Sequence, residues 1–124
     1  MDAPSFRKVE AVRGECYHNV MHFVMANPEW SPVHGVPMGA GPLEGVRFGH
    51  AWAELEVDGM RWVYDPSADR LLPAAIYYAA GCIEYAVVYE RAAYRKLLVK
   101  HKHSGPWAKK ILAAASKESM ASAA

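Results

Sequence analysis

The stretch "GHAWAELEVDGMRWVYDPSA" (residues 49–68) decides how this chain folds. Asp58-Gly59 separates two runs of strand-forming residues. That dipeptide is the strongest short-range hairpin signal, and it predicts a two-residue type I′ turn with both central residues at positive φ. The turn sets the register. Val57 faces Met60, Glu56 faces Arg61, Leu55 faces Trp62, Glu54 faces Val63, Ala53 faces Tyr64 and Trp52 faces Asp65. Side chains alternate along a strand with period two. His50, Trp52, Glu54 and Glu56 therefore share one face with Arg61, Val63 and Asp65, and the opposite charges of Glu56 and Arg61 support the pairing. Asp65 becomes the diagonal neighbour of His50, roughly 7–8 Å away by Cα and within reach of a ring side chain. An aspartate beside a histidine holds the imidazole in one tautomer and stabilises its protonated form. The plain alternative is an ordinary hairpin that contains a His and an Asp.

Working outward, "ECYHNVMHFVMAN" (15–27) reads as a helix that stops before Pro28. Cys16, Val20, Phe23, Val24 and Asn27 fall on one side of it, and His18 and His22 on the other. Residues 5–12 are short and mixed, and read as a strand; 30–39 read as a short strand bounded by prolines, and 40–45 as a loop. The hairpin arms run 46–57 and 60–65, ended by Pro66-Ser67. A short helix over 73–81 closes at Gly81, a strand follows over 83–89, and helices over 90–102 and 104–117 complete the order, the last with Pro106 suited to its first position. The expected fold is α+β: an N-terminal helix carrying the cysteine, packed on a small antiparallel sheet, with C-terminal helices. It forms one domain over 1–117, with a frayed tail at 118–124.

The composition fits a globular chain with one modest core: 124 residues, 52% hydrophobic and 22% charged. No apolar run reaches the roughly 20 residues of a membrane helix, and "MDAPSFRKVEAV" has no apolar stretch of signal-peptide type. With two cysteines, Cys16 and Cys82, free thiols and a cytoplasmic location are expected rather than a disulfide framework. The net charge of +1 hides an asymmetry. Residues 1–90 hold 6 Lys/Arg against 12 Asp/Glu, and residues 91–124 hold 8 against 1. The basic third is read as the solvated face of its helices; nucleic acid or an acidic protein is the alternative partner.

A nucleophile would complete the His–Asp pair. Cys16 opens a helix, where backbone N–H groups and the helix dipole favour a thiolate, and its side chain lies toward the sheet. Cys82 precedes a strand and suits the role of a small buried residue.

"GECYHNV" followed by "HAWAELEVDGMRWVYDPS" resembles the transglutaminase-like family of papain-related cysteine enzymes. In that family a cysteine opens a helix, a histidine begins a strand within His-Ala-Trp, and an aspartate follows on the partner strand within Asp-Pro-Thr or Asp-Pro-Ser. Cys16, His50 and Asp65 match in type, order and context over about residues 14–67. The aromatic residue that precedes the family's cysteine has no clear match before Cys16. The cysteine-to-histidine stretch is short, so minimal substrate loops are expected, without the substrate-selecting domains of larger relatives. Residues 90–107, ending in "HSGPW", also resemble short uncharacterised phage or prophage proteins.

The resemblance implies a catalytic triad of Cys16, His50 and Asp65. It would act on an amide or thioester of a peptide or protein, as a protease or amidase if water takes the acyl group and as a transferase if an amine does. Trp52 is expected to pack beside the triad, with substrate contact as its other reading. No cofactor and no metal are expected. His18 and His22 have zinc spacing, but no Glu follows His18 and no third ligand is obvious; His101 and His103 do not share a helix face. The rival reading is a non-catalytic binding or inhibitor module that engages a protein or anionic partner through the basic helices.

Overall fold

A computed structural model describes residues 2–39 and 44–114. The Asp58-Gly59 turn forms as its chemistry dictates, with φ of 51° and 80° at the two residues. A Cβ at position 59 would meet open space, so the left-handed backbone rather than crowding selects glycine there. The turn joins β2 (His50–Val57) to β3 (Met60–Asp65), and the pairing from Val57↔Met60 to Ala53↔Tyr64 is the one the turn demands. β2 is flanked on its other side by β1 (Ser31–Gly35), with Gly35 opposite His50.

The strand expected over 5–12 is absent, because its backbone groups pair with side chains instead. Asn27 accepts from Arg7 N and donates to Arg7 O, and Asn19 does the same for Val12. Two buried amides thus hold the segment at Arg7 and Val12 without a ladder. A strand not anticipated after the hairpin, β4 (Arg70–Pro73), folds back on β3 with Asp65 opposite Arg70. The sheet has five antiparallel strands in the order β4-β3-β2-β1-β5, where β5 is Ala86–Val88.

Helices cover both faces. α1 (Cys16–Ala26) packs Val20, Phe23 and Val24 on the face of Ala51, Ala53 and Tyr64. α3 (Arg91–His101) adds Tyr94 and Leu98 to that layer. α2 (Ala74–Ala80) covers the opposite face, where Tyr77 and Tyr78 meet Trp52 and Val63. The chain beyond α3 returns to the first layer through Trp107 and Ile111 and, among the described residues, is helical from 109 to 114. Pro106 therefore precedes this helix rather than opening it. The expected continuation to 117, the tail at 118–124 and most of the loop at 40–45 lie outside the described residues. The architecture is α+β: an N-terminal helix, an antiparallel sheet and C-terminal helices. No helix among the described residues is long and apolar enough to cross a membrane.

Candidate active site

His50 is the first residue of β2 and Asp65 the last of β3, so both lie at one end of the central strand pair and on one face of it. His50 Nε2 stands 2.7 Å from Asp65 Oδ2. The carboxylate is saturated. Oδ2 also accepts from the Tyr77 hydroxyl at 2.8 Å, and Oδ1 accepts from the backbone N–H groups of Ser67 at 3.0 Å and Ala68 at 3.3 Å. The tight connection to β4 supplies those two donors, because it turns the chain back over its own aspartate.

Burial by itself would lower the His50 pKa and raise that of Asp65. The bond to Asp65, with a contact from the Cys16 thiol, outweighs burial at His50 and lifts it to about 10. Bonds from His50, Tyr77 and Ala68 hold Asp65 below the usual carboxylate range. With Nε2 engaged by Asp65, Nδ1 is the ring atom left for Cys16.

Cys16 reaches His50 by an indirect route. α1 packs on the face of the odd-numbered β2 residues, whereas the His50 ring belongs to the even-numbered face. The two meet because His50 sits at the very end of β2, where the first residue of α1 overhangs the strand. Glu15, at the N-cap position, makes no side-chain capping bond, so it leaves the first N–H groups of α1 to other acceptors. Asn19 ties the helix of Cys16 to the turn after Asp65, donating from Nδ2 to Ser67 Oγ at 3.1 Å. A cavity of about 260 Å³ opens where these parts converge, lined by Gly14, Cys16, Tyr17, Phe48, Gly49, His50 and Ser67. His50 is its one ionisable side chain besides Cys16 and Tyr17. A cleft at Val36, Arg47 and Lys110 and another between Val24 and Leu98 are lined by no cysteine and no histidine among the described residues.

Trp52 does not line the cavity. It has no exposed surface, donates from Nε1 to Glu54 at 2.7 Å, and rests against Tyr77 and Tyr78. The substrate contact considered for it has no surface to act through. A Cβ on Gly35 would collide with its ring, so that glycine makes room for the indole. Glu54 is itself buried and takes bonds from Trp52, Arg61 and Tyr78, which makes it a structural carboxylate under α2. Cys82, expected to be buried, is exposed on the turn after α2. His18 and His22 lie with ring centroids 4.4 Å apart. Among the described residues no three His, Cys, Asp or Glu side chains cluster as a metal site would require.

Sequence reasoning overlooks Asn19 and Tyr77. Asn19 had a readable sign, since an amide within the apolar stripe of α1 must find buried partners. Tyr77 had none: only the fold of β4 and α2 over the hairpin carries it to Asp65. Comparison with family models, curated proteins and solved structures finds no match to this chain.

Proposed function

We propose that the chain is a cysteine-dependent acyl-transfer enzyme of transglutaminase-like type, acting through a thioester on Cys16. The observation that carries the reading is the 2.7 Å contact of His50 Nε2 with Asp65, with Cys16 interacting with the same imidazole and lining the same cavity. A buried carboxylate fixes the imidazole and stabilises its charged form, which is what a thiol nucleophile needs from its partner.

In the proposed cycle the Cys16 sulfur attacks the carbonyl carbon. The developing oxyanion is met by the free N–H of Cys16 at the start of α1. The bond to the leaving group breaks as the His50 imidazolium delivers a proton to it, and the acyl group stays on sulfur. Water or an amine then gives a proton to His50 and attacks the thioester, which releases the acyl product and restores the thiolate–imidazolium pair. Asp65 remains ionised throughout and orients the ring. Tyr17, Phe48 and two glycines make the remaining wall largely apolar, which suits a neutral acyl group, as in the amide of a peptide or protein.

The test compares the two thiols of the chain. Iodoacetamide should modify Cys16 faster than Cys82 below about pH 7, where an ordinary thiol is protonated. His50→Ala should remove that advantage. Equal reaction of the two thiols, or an advantage indifferent to His50→Ala, would count against the ion pair and the acyl-transfer reading with it.

A further inference from the structure

We propose that Tyr77 is a positioning residue for the His50–Asp65 pair: its hydroxyl shares Asp65 Oδ2 with the imidazole and keeps the carboxylate from drawing His50 too tightly. This rests on the proposed role of the pair, although its test does not require turnover.

An ionised carboxylate offers about four acceptor sites. At Asp65 four donors fill them: Ser67 N and Ala68 N on one oxygen, Tyr77 and His50 on the other. The two backbone donors already fix the orientation of the group. The Tyr77 hydroxyl, at 2.8 Å, therefore does something besides orienting it. A donor to the ionised carboxylate stabilises its charge and lowers its basicity, so two donors on one oxygen temper each other. With Tyr77 bound, the negative charge on Oδ2 is spread over a phenol as well as the imidazolium. His50 must release a proton to the leaving group, and an undivided carboxylate would hold that proton back.

The architecture gives Tyr77 this place deliberately in space, if not in sequence. α2 has seven residues, none of them buried, and no side-chain cap at its N-terminus. Adjacent phenols anchor it: Tyr77 to Asp65, and Tyr78 to Glu54. The neighbouring bond supplies a control, because Tyr78 holds the same helix to a carboxylate that does not touch His50. The ionisable groups around His50 are Cys16 and Tyr17 from α1, Asp65 from β3 and Tyr77 from α2. Those facing Tyr77 are Asp65, Cys16 and Tyr78. Phe48 and Trp52, the other rings beside His50, carry no charge.

The experiment follows the ring nitrogens of His50 by NMR across its titration in the wild type, Tyr77→Phe and Tyr78→Phe. The expected result for Tyr77→Phe is an upward move of the midpoint by about half a pH unit or more, roughly a threefold gain in proton affinity. Tyr78→Phe should leave the midpoint in place even where it lowers the melting temperature. Site-specific 3,5-difluorotyrosine at position 77, a stronger donor, should move the midpoint down, and it retains the hydroxyl that anchors α2 if the phenylalanine variant folds poorly. An unmoved or lowered midpoint in Tyr77→Phe, an unmoved midpoint with the fluorinated side chain, or an equal move in Tyr78→Phe would overturn the proposal. Turnover separates the two ideas. A wild type that acylates nothing refutes the acyl-transfer reading while the midpoints still decide on Tyr77. An active enzyme with unmoved midpoints refutes Tyr77 alone.

Discussion

His34 gives the sharpest test of the packing. It has no exposed surface, and neither ring nitrogen finds a hydrogen-bond partner. Tyr17, Tyr89, Trp107 and Tyr94 surround it with ring centroids 4.8, 5.0, 5.4 and 6.3 Å away. Burial lowers its pKa from 6.5 to about 3, so the folded protein holds it neutral. Between those values the unfolded chain binds a proton that the folded chain refuses. Stability from this site is therefore complete above the unfolded pKa and drains away as pH falls below it, by about 1.4 kcal/mol per pH unit. In His34→Phe that slope should vanish. The static cost is a separate matter. Removing an unpaired buried polar group gains about 1–3 kcal/mol, and overfilling the site costs a similar amount. Both are indifferent to pH, and burial keeps the facing phenols of Tyr89 and Tyr94 neutral throughout the range. The assay is urea unfolding of wild type and His34→Phe at several pH values between neutrality and about pH 4.5. The difference should swing toward the variant by about 3 kcal/mol over the last two units. Parallel stability curves would show that His34 is not a buried neutral base, and the packing around it would be wrong.

Three further outcomes are expected. Gly59→Val forces a β-branched side chain into a left-handed turn and should cost on the order of 1–3 kcal/mol, read as a lowered urea midpoint. Asp65→Asn removes the charge that raises His50, so the His50 titration should fall well below its value of about 10 and kcat/KM should drop by about 100-fold or more; an unchanged titration would deny the pair its role. Replacing Lys96, Lys100 and Lys102, all exposed, with Gln should leave turnover of a small substrate nearly unchanged, whereas any binding of an acidic partner should weaken and depend steeply on salt. Loss of small-substrate turnover would bring the basic helix into the site.

The parts of the fold legible in the sequence are those with local causes. Asp58-Gly59 sets the hairpin register because the turn type leaves one pairing, and the register puts His50 and Asp65 on one face. The apolar stripe of α1 likewise points to Val20, Phe23 and Val24. What sequence missed depends on distant partners. Residues 5–12 have the look of a strand, but Asn19 and Asn27 satisfy them from another element. β4 is four residues long and too mixed to announce itself. Trp52 is a plausible substrate contact until α2 lies over it, and Cys82 a plausible core residue until the turn after α2 carries it outward. The face on which α1 packs was also invisible, since alternation says which residues share a face but not which face a helix takes. Cys16 meets His50 only because both lie at the ends of their elements.

The central claim is that Cys16 accepts an acyl group with His50 and Asp65 as its partners. Incubation with a small neutral thioester, followed by intact-mass and peptide mass spectrometry, tests it directly. The account predicts an acyl adduct on Cys16 in the wild type that is slow to form in His50→Ala and absent in Cys16→Ser, with Cys82 unmodified. An adduct confined to Cys82, or one that forms on Cys16 equally well without His50, would contradict it.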